Sequence, residues 1–458
     1  MASFKWGHCA ARFFGLLLLI LGSAVGRAQF LYETNNGAIT ITGNRFSSSE
    51  PGTALIIPSA INGWPVTRIG PLAFRGIKYA VRVTIPKSVI NIEPGAFALS
   101  DLEAITVDPL SPSYTNVDGV LFNKNVSTLI QYPLGKVGAY AIPNSVTNLE
   151  TSGYYCTGGS MVCDARFYGP FVGCIGLTSV TIPNSVTRIP EYAFAYCARL
   201  TKVTIAHGVT SIGAGAFSEC ASLTDVTIPG SVTNIQGGLS FYFALGGGGA
   251  FARCSSLKSI VIPNGVTQIG GNAFAQCTGL TDVTLPDSIT QIEGGTFFGC
   301  TSLTTLTIPG SVQSIGSESS DDGEDEAGAF QDCTRLSGIY FRGNSPGKGI
   351  DLFSGTQKVV AFHLPGTTGW GATFGGRPTA LWMPRAESRD DSLGVHANQF
   401  GFNITWASGQ VVMVEASTEL VNPVWSPLQT ITLTGDSVRF TDPEGSKEPT
   451  RFYRVRPQ

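Results

Sequence analysis

Between Leu177 and Cys197 the chain reads LTSVTIPNSVTRIPEYAFAYC, and its apolar and polar positions follow two rules in succession. Val180, Thr181 and Ile182 alternate with the period of two that sends successive side chains to opposite faces of a strand, with Leu177, Val180 and Ile182 as the inward set. Pro183 has no N–H for a ladder bond and ends that strand. A turn at Asn184 and Ser185 leads to a second short extended piece closing at Ile189, and EYAFAYC is expected as one or two helical turns that drop Phe194 inward. The pattern therefore predicts a strand, a turn, a short strand and a helical corner.

The same unit returns as LTKVTIAHGVTSIGAGAFSEC and LTDVTLPDSITQIEGGTFFGC. Cys174, Cys197 and Cys220 are 23 residues apart, as are Cys254, Cys277 and Cys300, with gaps of 34 between the groups and 33 on to Cys333. Phe171, Phe194, Phe217, Phe251, Phe274, Phe297 and Phe330 each precede a cysteine by three. A unit this short cannot bury its apolar side alone, so neighbours must stack into a solenoid with a continuous core. The Ile-Pro anchors and their variants imply about a dozen rungs, which at a spacing of roughly 4.8 Å make a stack on the order of 55 Å long.

The pattern LTSVTIPxSVTxIxxxAFxxC resembles the BspA-like class of bacterial leucine-rich repeats, over roughly Phe30 to Trp382. ITITG…ALIIPSAINGWPVTRIGPLAF is similar to that family's opening repeat, and VDPLSPSYTNVDGVLFNKNVSTLIQYP to its irregular module. The resemblance implies a β-rich α/β solenoid whose relatives are mostly binding or adhesion proteins with varied ligands. Three long insertions depart from the pattern.

The ends read differently. Lys5 and Arg12 precede the apolar run FFGLLLLIL, followed by small residues and a cleavage point after Ala28 or Ala24, so residues 1–28 are expected as a secretory signal peptide. Its apolar core is well short of the roughly 20 residues that span a bilayer, and no later stretch approaches that length. The mature chain is thus expected to be secreted or held at the cell surface. The solenoid is assigned to residues 29–383, with 338–383, rich in glycine, proline and tryptophan, as its C-terminal cap. Polar residues 384–394 are expected as a linker. In 395–458, the alternation of Phe400, Phe402, Ile404 and Trp406 and later short runs ending in RFYRVR predict a small β-sandwich that resembles fibronectin-type-III-like modules.

Composition narrows the chemistry. Among 458 residues, 29 Lys and Arg against 32 Asp and Glu leave a net charge of −3, scattered along the chain, which argues against nucleic acid as a partner. Seven of the nine cysteines beyond residue 28 occupy one repeat position; stacked equivalents have parallel Cβ vectors, so buried reduced thiols are expected rather than bridges. Zinc is disfavoured, since no paired cysteine spacing or histidine cluster accompanies them. Cys156 and Cys163 sit outside the repeat, as a disulfide or as two free thiols. His207, His363 and His396 lie in a turn, the cap and the linker, and no nucleophile elbow, phosphate loop or zinc-protease motif is present. No catalytic residue, metal or cofactor is assigned. The run DDGEDE, Asp321 to Glu326, lacks the ligand spacing of a calcium loop and reads as a solvated acidic loop.

Two surfaces remain. Outward strand positions form a threonine file, Thr84, Thr106, Thr181, Thr204, Thr227, Thr284 and Thr307, interrupted by Val261 and Tyr340; strand propensity alone accounts for it, and water or glycan ordering is the other reading. The insertions lie between Leu149 and Phe171, Ile235 and Phe251, and Ile315 and Phe330, so all enter just before the AF turn and recur every third rung, about 14 Å apart. The first carries Tyr154, Tyr155, Phe167 and Tyr168, the second Phe241, Tyr242 and Phe243, and the third Asp321, Asp322 and Glu324. Aromatic loops on a rigid scaffold suit recognition of a protein or carbohydrate. The alternatives are rings that merely pin the loops to a structural surface protein, or a hydrolase with its carboxylates on the loops.

Overall fold

The computed structural model describes residues 30–45, 53–78, 80–150, 169–238, 248–316, 327–387, 393–396, 399–421, 423–445 and 450–458. The chain divides into two compact units, one ending at Leu257 and the other beginning at Lys258. Each is strand-built, and none of the described residues is helical.

The first unit opens with an antiparallel hairpin, Phe30–Asn35 on Ala38–Asn44, and then winds into parallel ladders. One side of its rungs stacks Thr53–Ile56, Ala80–Ile85 and Ala104–Val107, and further on Gly138–Ala141, Leu177–Ile182, Lys202–Ile205 and Asp225–Thr227. A second side stacks two-residue strands, Arg188–Ile189, Ser211–Ile212 and Asn234–Ile235. Partners lie 23 residues apart, as in Val180 with Val203 and Val203 with Val226. Val180, Ile182, Val203 and Ile205 are buried while Thr181, Thr204 and Thr227 are exposed in register beside one another, the inside-outside alternation of a half-buried strand.

The third side is the corner, and here the expected helical turns are corrected. Ala193, Ala195 and Cys197 donate their N–H groups to carbonyls three residues back, at 3.3, 3.1 and 3.3 Å. The residues between them do not: Tyr192, Phe194 and Tyr196 donate to Ala214, Ala216 and Ser218 of the next rung at 2.9, 2.8 and 2.8 Å. An α-helix spends its N–H groups on its own chain. Half of these are claimed by a neighbour, and left-handed backbone at Tyr192 (φ 53°) and Tyr196 (φ 62°) prevents helical continuation. The fold is accordingly a strand-dominated repeat architecture, and the α/β designation does not apply to it.

The corner phenylalanines form the core's most regular feature. Phe171, Phe194, Phe217 and Phe251 stack at 4.6, 5.3 and 5.3 Å in the first unit, and Phe274, Phe297, Phe330 and Phe353 at 5.9, 5.8 and 5.7 Å in the second. Cysteine follows each of these turns except that of Phe353 as a buried free thiol. Its Sγ–H donates to the phenylalanine carbonyl of the preceding rung: Cys197 to Phe171 at 3.1 Å, Cys220 to Phe194 at 3.2 Å, Cys300 to Phe274 at 3.3 Å and Cys333 to Phe297 at 3.1 Å.

In the second unit the parallel ladder runs through Thr305–Ile308, Gly338–Phe341, Val360–His363 and Arg377–Leu381, so the stretch after Gly338 still pairs rung on rung. It closes with Thr373–Phe374 folded antiparallel onto Arg377–Leu381 and with Trp370 stacked on His363 at 4.8 Å. Arg385–Ala386 then pairs antiparallel with Ile404 and Thr405. Beyond it lie two antiparallel sheets, one built on Gln399–Thr405 with Gly394–His396 and Ser437–Asp442, the other on Val411–Ser417 with Ser426–Thr432 and Phe452–Pro457. Phe402, Ile404, Trp406, Val412, Val414 and Phe440 form their core together with Leu364, and the Trp406 indole N–H donates to the Trp382 carbonyl at 2.8 Å.

Candidate binding surface at the repeat corner

The insertion residues singled out by sequence, Tyr154, Tyr155, Phe167, Tyr168, Phe241, Tyr242, Phe243, Asp321, Asp322 and Glu324, and the pair Cys156 and Cys163, lie outside the described residues. The points where the insertions leave and rejoin the fold are described. In the first unit, Glu150 and Gly169 bracket one insertion, and Gly238 and Gly248 the other. Glu150 N–H is held by the Leu129 carbonyl at 2.9 Å, and Phe171 N–H by Ala193 at 3.1 Å. The second insertion is pinched at its base: Ala250 N–H donates to Gln236 at 3.2 Å, and a Cβ on Gly238 would sit 2.3 Å from the Gly248 carbonyl oxygen, so only glycine allows the two ends to meet. Phe171 and Phe251 behind these bases are three stacked steps apart. The third insertion, between Gly316 and Ala327, belongs to the second unit.

Between the two bases runs a strip that the sequence pattern did not single out. Tyr196, Glu219 and Arg253 occupy the position before the cysteine in successive rungs, each in left-handed backbone with φ of 62°, 61° and 60°. Arg253 pairs with Glu219 at 2.5 Å. Tyr196 is 37% exposed, and its hydroxyl is held above the usual tyrosine range by burial and then by the Glu219 charge, with Arg253 opposing. A signal was present in the repeat: the residue before cysteine is Gly173, Tyr196, Glu219, Arg253, Gln276, Gly299 and Asp332 in turn, a freely varied position inside a constant motif.

Beside the first base lies a narrow cleft with an accessible volume of about 30 Å³. Its cause is local. The rung containing Thr128–Gln131 lacks the long corner and instead runs Tyr132, Pro133, Leu134, Gly135. Tyr132 replaces phenylalanine in the stack, 5.0 Å from Phe171, and the Gly135 N–H donates to Leu102 at 2.8 Å. The corner Glu93 to Leu99 and the wall Gly169 to Val172 are therefore left facing one another across the gap. Gln131, at the floor, donates to the carbonyls of Tyr132 and Pro170 at 2.8 and 3.4 Å. Glu93 is neutralised by Arg68 at 2.5 Å. The Glu150 carboxyl has no such partner among the described residues, and burial raises its pKa.

Other sequence candidates do not assemble into a reactive centre. His207 and His363 are not grouped with acids or thiols; His363 Nδ1 lies 3.2 Å from the Thr367 hydroxyl. Among the described residues no group of three or more His, Cys, Asp or Glu side chains is placed to hold a metal ion. Hydroxyls flanking the threonine file are used internally, as in Thr201 to Thr178 and Thr224 to Thr201 carbonyls at 3.0 and 3.3 Å. No helix among the described residues is long and apolar enough to cross a membrane.

No curated protein matches the chain. A leucine-rich repeat protein from Bacteroides ovatus, of known crystal structure, is 22% identical over 74% of this chain and 70% of its own, with a TM-score of 0.43. A leucine rich cell surface protein from Faecalibacterium prausnitzii is 23% identical over 75% and 95%, with a TM-score of 0.38. The pneumococcal vaccine antigen PcpA is 19% identical over 67% and 56%, with a TM-score of 0.34. The family model described as BspA type Leucine rich repeat region matches in six copies, over residues 39–157, 168–243 and 247–369. With those copies spread over more than half of its length, the chain belongs to the BspA-type leucine-rich repeat family.

Proposed function

We propose that the protein is a secreted or cell-surface scaffold, non-enzymatic, that binds a protein or carbohydrate at the repeat corner of its first unit. One observation carries this: two insertions leave the fold at the same corner, three rungs apart, with the varied strip Tyr196, Glu219 and Arg253 between their bases. Membership of a family of binding and adhesion repeats supports the same class of function. In this reading Tyr154, Tyr155, Phe167, Tyr168, Phe241, Tyr242 and Phe243 complete the surface, because aromatic side chains on loops supply large contact area over a rigid base. The acidic insertion with Asp321, Asp322 and Glu324 belongs to the second unit and is read as a solvated loop. Residues 395–458 are read as a small β-sandwich of the fibronectin-type-III kind that serves attachment or export.

The competing reading is a purely structural surface protein. Replacing residues 151–168 and 239–247 with short glycine links, then screening intact and trimmed protein against glycan and cell-surface protein arrays, separates the two. The intact chain is expected to bind and the trimmed chain to lose at least tenfold in affinity, about 1.4 kcal/mol. Equal binding by both ends the corner assignment, and binding by neither favours the structural reading.

A further inference from the structure

Where the repeat drops one corner, backbone donors are left without acceptors among the described residues. In the regular corners of the first unit the forward-pointing N–H groups are taken by the next rung. Phe74 and Gly76 donate to Ala96 and Ala98, Phe171 and Gly173 to Ala193 and Ala195, and Phe217 and Glu219 to Ala250 and Ala252, all between 2.8 and 3.1 Å. In the rung from Glu93 to Leu99 the groups matching these are Phe97 and Leu99, preceded by Gly95 at the position where Tyr192 donates to Ala214 but Leu72 and Gly215 donate to no described residue. The following rung passes through Tyr132 to Gly135 and offers no corner carbonyls there, and the N–H groups of Gly95, Phe97 and Leu99 have no hydrogen-bond partner among the described residues.

Phe97 is only 1% exposed, and a buried backbone N–H without an acceptor is rare in a folded protein. Gly95 and Leu99 have left-handed backbone, φ 67° and 55°. Between them the Ala96 and Ala98 N–H groups turn back to the Glu93 and Gly95 carbonyls at 3.2 and 2.9 Å, so only alternate N–H groups remain to be paired. Gly95, Phe97 and Leu99 all line the narrow cleft beside the first base.

The acceptor is defined by its surroundings. A free anion is opposed by Glu150, whose carboxyl lines the same cleft without a cation. A polypeptide meets both requirements. Elsewhere in this unit the same positions donate to carbonyls of alternate residues in a neighbouring chain segment, as Tyr192, Phe194 and Tyr196 do to Ala214, Ala216 and Ser218. The walls at Ala96, Ala98, Pro170 and Val172 are small or apolar and admit a backbone.

We propose that this cleft binds a short peptide segment of another protein, which accepts hydrogen bonds from Gly95, Phe97 and Leu99 through the carbonyls of alternate residues and presents a lysine or arginine to Glu150. The proposal takes from the scaffold reading only that the partner is a protein, and it does not depend on the insertions.

The test uses the full chain labelled with 15N at glycine, phenylalanine and leucine. It is titrated with a capped hexapeptide of alternating alanine and glycine carrying one central lysine, with the same peptide carrying glutamine, and with inorganic phosphate. The lysine peptide is expected to shift the amides of Gly95, Phe97 and Leu99 saturably. Glu150→Gln is expected to weaken it about tenfold or more, as loss of a charged hydrogen bond does, and Val172→Trp, which fills the cleft while leaving the donor row in place, to abolish it. No shift at the three amides with either peptide overturns the proposal, and so does an equal response to phosphate, which marks an anion site. Slow hydrogen exchange at Phe97 and Leu99 that becomes fast once 151–168 is trimmed overturns it as well, because the cleft then belongs to the chain itself. Peptide binding that survives trimming of both insertions upholds this site even if the insertion surface fails.

Discussion

At the scale of single residues, cysteine closes the repeat because its position asks for two things together. The side chain must be small and apolar enough to disappear into the core, and it must donate a hydrogen bond to the phenylalanine carbonyl one rung back, as Cys220 does to Phe194. Thr356 meets the same demand in the second unit, where its hydroxyl reaches the Phe330 carbonyl at 2.7 Å. Burial raises the thiol pKa of Cys174, Cys220 and Cys300, and pushes that of Cys333 up to about 12, so these groups stay protonated and able to donate. Cys220→Ala is expected to lower stability by about 1–3 kcal/mol, through the stranded carbonyl and a small cavity. Cys220→Ser, which keeps a donor, is expected to lose less. Denaturant midpoints of the two variants decide it: an alanine variant as stable as the serine variant removes the hydrogen bond from the explanation.

The corner is the element that distinguishes this fold from a plain stack of strands, and some of its left-handed positions bring neighbouring rungs into close contact. Gly215 has φ 61°, and a Cβ there would lie 2.2 Å from the Tyr192 ring of the preceding rung. Tyrosine covers the glycine, so the pair acts as one contact between rungs. Gly215→Ala is expected to cost about 1–2 kcal/mol from left-handed backbone alone, and more because the ring must move. Tyr192→Ala makes room for that methyl group. In a double-mutant cycle the combined variant should therefore be more stable than the sum of the single losses predicts, by on the order of 1 kcal/mol. Strict additivity shows that the ring and the glycine do not constrain each other.

On the scale of the whole chain, the second unit carries a different stabilising device from the apolar stack. Glu415 is buried between Arg454 at 2.6 Å and Arg456 at 3.1 Å, and hydrogen bonds from Arg454 and then Arg456 hold its carboxyl below the usual range. A carboxyl with a lowered folded-state pKa contributes stability that is fully present above its unfolded value, about 4.3, and is lost as pH falls through the folded value. Glu415→Gln is expected to melt below the parent protein at pH 7, and the gap is expected to close below about pH 4. Melting curves across pH 3 to 7 check this, and a gap independent of pH assigns the effect to packing. Because Leu364 shares the core of Phe402, Ile404 and Trp406, acid loosening of the terminal sheets should also reach the end of the ladder.

The inward positions and the burial of cysteine were legible in the chain, because each is a one-dimensional pattern of what faces inward and how often. Val180, Ile182, Phe194 and Cys197 are buried where alternation and spacing place them. What stayed illegible depends on partners a full rung away. EYAFAYC carries the apolar spacing of a helical turn, yet Tyr192, Phe194 and Tyr196 give their N–H groups to the next rung, and no local propensity encodes that choice. For the same reason the donors of Gly95, Phe97 and Leu99, unpaired among the described residues, became visible only through the shortened rung at Tyr132 to Gly135. A side chain's burial can be read from periodicity, but the fate of a backbone donor is decided by the neighbour that the tertiary structure sets beside it.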